Sequence, residues 1–472
     1  MTTGGEPSDL GRARPSRREL LQTAAGLGVA SVAGVGVARG AGGDLRWQFE
    51  AGDPVDNSPT VAGGTVYITN TEGVLYALTT DTGEQRWRAT LGFGLDSAPT
   101  VADGVVFVSG GDRSVLALDG ESGEQVWTFE TSGTVSRSSP TVAGGTVFVG
   151  SGDNSLYALA GATGDQQWAV DTGRPITSSP TVAGDTVFVG NAAGSVFALA
   201  AASGGQLWRF DSDDRIRSSP TVADGRLFVG SDDNHLYALD VLSGTEEWRF
   251  EAGNSVGTTP TVADGRVFVG SQDSRVYALD AATGEQVWAV ETGDVVRSSP
   301  TVVDGTVFVG SSGGSLYALS TATGDRQWVV DTGGAVDSSP TVDSGTLYVG
   351  TDGGVTALAA GIEGSSEGSR ARLGTLGHPE DWRYAGQELP DGGGDGGDDT
   401  PGSGADGDDT PSSGADGDDT PGSGADEGTT DENGSGGSGD GLGPGLGAGT
   451  ALAALGGLAL LARRRVDRDS GQ

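Results

Sequence analysis

The chain has no cysteine and no lysine, and it has only two histidines among 472 residues. Without cysteine it cannot form disulfides or thiolate metal sites, and it lacks the Cys-x-x-Cys-His motif that attaches a c-type haem. The two histidines are His235, in an expected hairpin turn, and His378, beyond the repeats described below. Two imidazoles so far apart in sequence exclude a histidine cluster for zinc.

Because lysine is absent, arginine supplies every strong base, and the formal net charge is −38. This charge argues against nucleic acid or an anionic membrane surface as a partner. Fifteen of the acids lie between residues 391 and 440, and removing them from the net charge still leaves −23 for the rest of the chain. Such an acidic surface fits an extreme halophile, where concentrated salt screens the repulsion between like charges.

Tryptophan and proline recur with a period of 40 residues, which slips once to 41. A fixed period of this length predicts a repeat array, and 40 residues make one four-stranded propeller blade. Short β-branched and aromatic runs such as Thr146–Gly150 alternate with Gly, Asp and Asn turns, as consecutive hairpins require. The repeated tryptophans are Trp47, Trp87, Trp127, Trp168, Trp208, Trp248, Trp288 and Trp328. The repeated prolines are Pro59, Pro99, Pro140, Pro180, Pro220, Pro260, Pro300 and Pro340.

The two ends of the repeat region predict how the ring closes. The last unit ends at Val355–Leu358 with no tryptophan strand after it, whereas Leu45–Phe49 precedes the first full unit. We expect the N-terminal strand to become the outermost strand of the last blade, because this arrangement removes two exposed sheet edges. The sequence therefore predicts an all-β fold over residues 44–360, a single eight-bladed β-propeller.

The segment Ala278–Trp288 reads Ala-Leu-Asp-Ala-Ala-Thr-Gly-Glu-Gln-Val-Trp. It resembles the tryptophan-docking repeat of quinoprotein propellers, Ala-x-Asp-x-x-Thr-Gly-x-x-x-Trp, and the other units match it with losses at the Asp or Thr position. The resemblance implies that each tryptophan wedges between adjacent blades. It also implies one of two activities, since the family contains dehydrogenases that use pyrroloquinoline quinone (PQQ) with calcium as well as non-catalytic scaffolds.

Two features separate this chain from the quinone-dependent alcohol dehydrogenases that it resembles. Those enzymes carry a vicinal disulfide against the quinone and long inserted loops, whereas this chain has no cysteine and its units are almost minimal. The sequence therefore favours a binding or scaffolding module without a cofactor, whose partner is an envelope protein or polymer. A PQQ- and calcium-dependent alcohol or sugar dehydrogenase is the alternative.

One column of the repeat breaks the symmetry, namely the residue three before each repeat proline. We expect this column at the mouth of the central channel, with carboxylates on three adjacent blades and guanidiniums on three others. Arginine forks suit carboxylates or phosphates, and clustered carboxylates suit calcium. A quinone would therefore use Arg137, Arg217 and Arg297, while calcium would use Asp56, Asp96 and Asp337. A polar rim whose charges pair with each other is the competing interpretation. In order of blades the column is Asp56, Asp96, Arg137, Thr177, Arg217, Gly257, Arg297 and Asp337.

The N-terminal segment, residues 1–43, is similar to a twin-arginine export signal. Arg17 and Arg18 precede a soft apolar stretch from Thr23 to Ala38. We expect cleavage between Ala38 and Asp44, and a short membrane anchor is the rival interpretation.

The C-terminal part divides into three segments. Residues 361–390 are a linker of unknown structure, and residues 391–443 are an acidic low-complexity stalk with a possible glycosylation site at Asn433. Residues 444–472 place Pro444, Gly445 and Leu446 before an apolar run and three arginines.

This last segment resembles the sorting tail of halophilic archaeal surface proteins, in which Pro-Gly-Phe marks a tail that is exchanged for a lipid. Here Leu446 stands in the place of phenylalanine. Either processing or a plain transmembrane helix would anchor the protein at the cell surface, on the outer side of the cytoplasmic membrane.

Overall fold

A computed structural model describes residues 42–366 apart from Phe93, Asp96 and Ser136. In this part of the chain there are thirty-two β-strands and no helix. None of these residues therefore belongs to a helix that could cross a membrane. The predicted twin-arginine motif, acidic stalk, glycosylation site and sorting tail lie outside the described residues.

The strands form eight four-stranded antiparallel sheets, as the eight-bladed prediction requires. The innermost strands are β2 (Thr60–Ala62), β6 (Thr100–Ala102), β10 (Thr141–Ala143), β14 (Thr181–Ala183), β18 (Thr221–Ala223), β22 (Thr261–Ala263), β26 (Thr301–Val303) and β30 (Thr341–Asp343). The second strands are β3 (Thr65–Thr69), β7 (Val105–Ser109), β11 (Thr146–Gly150), β15 (Thr186–Gly190), β19 (Arg226–Gly230), β23 (Arg266–Ser271), β27 (Thr306–Gly310) and β31 (Thr346–Thr351).

The outer half of each sheet contains longer strands. The third strands are β4 (Val74–Thr79), β8 (Ser114–Asp119), β12 (Ser155–Ala160), β16 (Ser195–Ala200), β20 (His235–Asp240), β24 (Arg275–Asp280), β28 (Ser315–Ser320) and β32 (Gly354–Ala359). The outermost strands are β5 (Gln85–Thr90), β9 (Gln125–Glu130), β13 (Gln166–Asp171), β17 (Gln206–Asp211), β21 (Glu246–Glu251), β25 (Gln286–Glu291), β29 (Arg326–Asp331) and β1 (Leu45–Glu50).

The N-terminal strand β1 completes the eighth blade, whose strand order is β1-β32-β31-β30. It pairs antiparallel with β32, and the two chain ends meet through Gly43 N donating to Ala359 O at 2.8 Å and Ala359 N donating to Asp44 O at 2.7 Å. The ring is thus closed without a covalent link, in the way that the ends of the repeat region predict.

The apolar core is divided among the interfaces between neighbouring blades. The second strand of each blade is buried on both faces, and in β11 the side chains of Val147, Phe148 and Val149 are all enclosed. Eight clusters result, and each joins residues of two adjacent sheets. Because the second and third strands are sandwiched between neighbouring sheets, they read as apolar runs rather than as alternating patterns.

Each repeat tryptophan reaches into the next blade. In the third blade interface, Trp127 Nε1 donates to Gly161 O at 2.8 Å. The same ring packs on Gly164, which has a φ of +75° and whose Cβ, if present, would lie 2.7 Å from the indole. The Thr-Gly of the repeat therefore supplies a turn without a side chain, on which the tryptophan of the preceding blade lies.

A closed ring of hydrogen bonds joins the innermost strands. The threonine after each repeat proline donates its Oγ1 to the proline carbonyl of the next blade, at 2.5–2.7 Å. Thr341 donates to Pro59 and completes the circle. This ring explains why Pro-Thr recurs in every unit.

The propeller has two faces that the following sections distinguish. The loop face carries the connections that lead into the innermost strands, such as residues 51–59, and the turns between second and third strands. The turn face carries the turns between first and second strands and between third and fourth strands. The first and last described residues, Gly42 and Ser366, both lie on the turn face, beside Trp328 and Val342 respectively.

Candidate functional site

The residue column three before each repeat proline lies on the loop face, in the connections that surround the channel mouth. Asp56 and Arg137 are exposed there, while Arg217 and Asp337 are partly covered by neighbouring connections. Asp96 lies outside the described residues. The structure thus locates five of the six predicted site residues on one rim.

Arg297 and Asp337 lie on adjacent blades, seven and eight, and interact with each other. Arg297 Nη1 is 3.5 Å from Asp337 Oδ2 and donates to Ser312 Oγ at 3.0 Å. Ser312 lies in the turn between β27 and β28, and its hydroxyl donates to Asp337 Oδ1 at 2.5 Å. The arginine is still 54% exposed, so its remaining N–H groups face solvent.

Arg217 is held by a carboxylate that the sequence column did not include. Its Nε lies 2.9 Å from Asp232 Oδ2, and Arg215 Nε lies 3.3 Å from the same oxygen. Ser255, from the connection into the sixth blade, donates to Asp232 Oδ1 at 2.5 Å. Only 10% of the Asp232 side chain is exposed, so this carboxylate joins two blades beneath the arginines.

Asp232 and Ser312 occupy equivalent positions, two residues after the glycine that ends the second strand. Other blades have Gly152, Ala192 or Gln272 there. This second variable column is the sequence signal from which the partners of the rim arginines could have been found. It could not be matched to the first column from sequence, because the pairing depends on how far each turn leans over the channel mouth.

Arg137 marks the position where the 40-residue period slips to 41. Val135 is buried as Ile176 is in the next connection, so the additional residue lies between Val135 and Ser138. Arg137 has a φ of +66°, a left-handed conformation that is unfavourable for a residue with a side chain. Its guanidinium is exposed, so this insertion presents a cation on the rim at the expense of local strain.

Three turns of the loop face are fixed by an aspartate and tyrosine pair. Asp153 Oδ2 accepts from Tyr157 Oη at 2.7 Å and from Ser132 N at 2.9 Å, which ties the turn to the neighbouring connection. Burial raises the pKa of Asp153, but these hydrogen bonds and one from Ser155 N outweigh it and lower the pKa overall. The other two pairs are Asp233 with Tyr237 and Asp273 with Tyr277.

In residues 42–366, leaving aside 93, 96 and 136, no three carboxylate or histidine groups converge on one point. Asp337 is occupied by Arg297 and Ser312, and the role of Asp96 stays a prediction. His235 is the first residue of β20 rather than part of the turn before it, and its Nδ1 lies 3.2 Å from Asp233 Oδ1.

The three arginines predicted for a quinone lie in the connections into three alternate blades, and their role stays a prediction. Arg217 and Arg297 each pair with a carboxylate, at different blades, and Arg137 lies on a third. Two of the three arginines are thus held in charge pairs, and part of each of these two side chains stays exposed.

Residues 32–168, 152–259 and 244–361 match the protein family described as outer membrane protein assembly factor BamB. Together the matches cover more than half of the chain. The chain belongs to this family. No protein with a curated description matches the sequence.

Several solved structures are similar to this BamB-family propeller in fold. BamB from Moraxella catarrhalis has a TM-score of 0.58 and 22% sequence identity, over 66% of this chain and 95% of that one. The quinohemoprotein alcohol dehydrogenase from Comamonas testosteroni has a TM-score of 0.57 and 16% identity, over 68% and 77% of the two chains. The computationally designed Ika8 protein has a TM-score of 0.62 and 15% identity, over 67% and 100%. At these identities the similarity shows the fold alone.

Proposed function

We propose that this protein is an exported, surface-anchored propeller that binds an envelope protein or an envelope polymer on its loop face, as a binding or scaffolding module. The observation that carries the proposal is the paired rim, in which Arg217 and Arg297 are fixed by Asp232 and Asp337 while part of each guanidinium stays in solvent. The family description, an assembly factor, supports a role in which a partner protein is bound rather than a substrate converted.

The rim suits a partner with carboxylate or phosphate groups. A guanidinium whose Nε already pairs with a carboxylate retains its terminal N–H groups for a second acceptor, and its orientation is set before the partner arrives. Arg137, Arg217 and Arg297 lie on alternate blades, so an extended anionic surface contacts them in succession. The connections into the innermost strands are short, which favours a macromolecule over an enclosed small molecule.

Export and anchoring rest on the sequence. Arg17 and Arg18 direct export of the folded propeller, and Pro444, Gly445 and Leu446 begin a tail that holds it at the membrane. The acidic stretch between tail and propeller keeps the propeller away from the anionic lipid surface.

In-cell cross-linking tests the face that binds. Because the chain has no cysteine, a single Ala193→Cys substitution on the loop face can carry a photo-cross-linker, and Ala282→Cys on the turn face is the matched control; both alanines are exposed turn residues. We expect a discrete cross-linked species from Ala193→Cys and none from Ala282→Cys. The same species from both positions, or from Ala282→Cys alone, would rule out the loop face as the binding surface.

A PQQ- and calcium-dependent dehydrogenase is the second candidate, and the arginines and aspartates of the rim are the observation in its favour. The full chain would be titrated with the quinone and calcium in molar salt while tryptophan fluorescence is followed. Saturable quenching that is lost in the Arg137→Ala/Arg217→Ala/Arg297→Ala variant would establish the enzyme. No saturation at high micromolar quinone would remove it.

A further inference from the structure

The hairpin turns between the third and outermost strands of blades one to seven share one set of contacts. In the seventh blade, Gly324 N donates to Ser320 O at 2.9 Å, and Ser320 N donates to Asp325 O at 2.9 Å. Gly324 has a φ of +75°, and a Cβ there would lie 2.9 Å from the Trp288 ring of the preceding blade. Each of these turns therefore needs a residue without a side chain. The equivalent glycines of blades one to six are Gly83, Gly123, Gly164, Gly204, Gly244 and Gly284.

The eighth blade has no such turn in one piece, because its outermost strand β1 comes from the start of the chain. The same contacts are nevertheless made across the two ends of the propeller. Gly43, with a φ of +90°, donates its N–H to Ala359 O at 2.8 Å, and Ala359 N donates to Asp44 O at 2.7 Å. These three residues take the places of the turn residues of the seventh blade, namely Gly324, Ser320 and Asp325.

Trp328 of the seventh blade is packed by glycines from both ends of the propeller. A Cβ at Gly42 would overlap Trp328 Nε1, and one at Gly43 would lie 2.8 Å from Val330 Cγ2 and 3.4 Å from the indole. Gly361 lies directly beside Gly42, since a Cβ at Gly361 would lie 2.9 Å from Gly42 Cα. The start and the end of the propeller therefore meet inside one hairpin turn, between Gly361 and Gly42.

The two halves of this turn are held independently. Beyond Gly361 the chain turns inwards, and Ser366 N donates to Val342 O of the innermost strand β30 at 2.8 Å. The other half consists of Gly42 and Gly43, whose contacts are those to the indole and to the end of β32. Loss of these two glycines would thus remove half of the turn and uncover the indole.

The sequence alone permits cleavage of the export signal on either side of these glycines. Signal cleavage sites have small residues at the last and third-last positions before the cut. The segment Ala38–Asp44 reads Ala-Arg-Gly-Ala-Gly-Gly-Asp, and with Gly36 before it the pattern allows a cut after residue 38, 40, 42 or 43. A cut at either of the last two positions would remove one or both glycines of the turn.

We propose that the export signal is cut before Gly42, after Ala38 or Gly40, so that the exported protein keeps the two glycines that complete the turn of the eighth blade. A signal peptidase hydrolyses this peptide bond with water and leaves a free α-amino group on Arg39 or Ala41. The folded propeller is exported, so Gly42 and Gly43 are already packed when the signal is cut, and peptidases cut accessible segments. The inference rests on the export signal of the proposed function and not on the face that binds a partner.

Amine labelling of the exported full-length protein identifies its first residue. Because the chain has no lysine, reductive dimethylation marks the α-amino group alone. Endoproteinase Asp-N, which cuts before Asp44, then releases the labelled N-terminal peptide for mass spectrometry. We expect a labelled peptide that begins at Arg39 or Ala41 and ends in Gly42-Gly43. A protein that begins after Gly42, or one that keeps its whole signal, would overturn the proposal and leave the cross-linking test of the loop face unaffected.

A second experiment tests whether the retained glycine completes the turn. Gly43→Ala is compared with Gly52→Ala, because Gly52 follows the other end of β1, has a φ of +81° and has no heavy atom within 4 Å of a Cβ. We expect the amide hydrogens of β1 to exchange about tenfold faster in Gly43→Ala than in Gly52→Ala, since the alanine displaces the indole and Val330. Equal exchange in the two variants would contradict the role assigned to Gly43.

Discussion

At the scale of residues, the repeat signature is explained by contacts between blades. Among the described residues, seven of the eight repeat tryptophans donate to a backbone carbonyl of the next blade, as Trp208 Nε1 does to Val241 O at 3.0 Å. A large aromatic ring that is buried and hydrogen-bonded in this way contributes strongly to an interface. No other residue type fits at the glycine below the ring, because both the backbone conformation and the ring exclude a side chain.

Gly244 tests this explanation. Its φ is +70° and a Cβ would lie 2.6 Å from the Trp208 ring, whereas Gly265 has the same φ and no heavy atom within 4 Å of a Cβ. In both alanine variants the free energy of unfolding should fall by about 1 kcal/mol, because alanine is strained in the left-handed backbone conformation. In Gly244→Ala it should fall by about 2 kcal/mol more, because the Trp208 ring is displaced. Denaturant unfolding followed by tryptophan fluorescence measures the difference. Equal losses would show that the indole does not depend on the glycine.

Asp153 gives a prediction for acid pH. Burial raises its pKa, but the bonds from Tyr157, Ser155 and Ser132 lower it below that of a free aspartate. A carboxylate with a lowered folded pKa stabilises the protein above its unfolded pKa near 4, and the stabilisation is lost as pH falls through the folded value. Asp153→Asn should therefore lower the melting temperature at pH 7, by an amount that shrinks below pH 4. A pH-independent difference would contradict the assignment.

The rim shows what residue-level reading can and cannot predict. The described members of the column three before each proline lie in the connections of the loop face, because position in a repeat fixes position in the ring. It does not reveal that Arg217 pairs with Asp232 and Ser255, since those residues come from another turn and another blade. Such pairings are set by side-chain reach across blades, which the repeat pattern does not encode.

At the scale of elements, the hairpin units were fully readable from the 40-residue period, and so was the completion of the eighth blade by β1. The segment 361–366 was not, because it has neither repeat signature nor strand pattern. It is held by hydrogen bonds of Gly364, Ser365 and Ser366 to β30 and the turn after it. Small polar residues give no periodic signal, whatever they bind.

The pairing of β1 with β32, which closes the ring without a covalent link, gives the first prediction at this scale. β1 pairs along its length with β32, and Trp47 Nε1 donates to Thr80 O of the first blade at 2.9 Å. We expect amide hydrogens of β1 to exchange as slowly as those of β5, which is covalently continuous with its blade. Hydrogen exchange with mass spectrometry compares the two strands. Exchange a hundredfold faster in β1 would show that the ring opens at this seam.

A second set of hydrogen bonds joins neighbouring blades at the residue before each repeat proline, and one acceptor in this set is missing. In several blades the backbone N of the residue before the repeat proline donates to the serine hydroxyl at the same position of the next blade, as Ser139 N does to Ser179 Oγ at 3.0 Å. Ala98 has no hydroxyl to accept from Ser58 N.

Ala98→Ser should therefore add a link and raise the free energy of unfolding by about 0.5–1.5 kcal/mol. Ser179→Ala, which removes a link, should lower it by about 1–3 kcal/mol because a buried N–H loses its acceptor. Denaturant midpoints of both variants, with the wild type alongside, test the pair. A destabilised Ala98→Ser would mean that the pocket beside Ser58 cannot hold a hydroxyl.

At the scale of the whole molecule, the fold separates two mouths of one channel. The loop-face mouth carries pairs of opposite charge, whereas the turn-face mouth carries aspartates and the inward path of residues 361–366. Both described chain ends lie on the turn face. This asymmetry is the structural basis for assigning partner binding to the loop face.

The measurement that tests this assignment most directly is the affinity of the cross-linked envelope partner for rim variants. Arg137→Ala/Arg217→Ala/Arg297→Ala would be compared with Arg88→Ala/Arg209→Ala/Arg249→Ala, which removes the same charge from the outermost strands β5, β17 and β21. We predict that the rim variant binds at least tenfold more weakly while the control binds like the wild type. Equal affinities for the two variants would contradict the claim that the loop-face rim is where the partner binds.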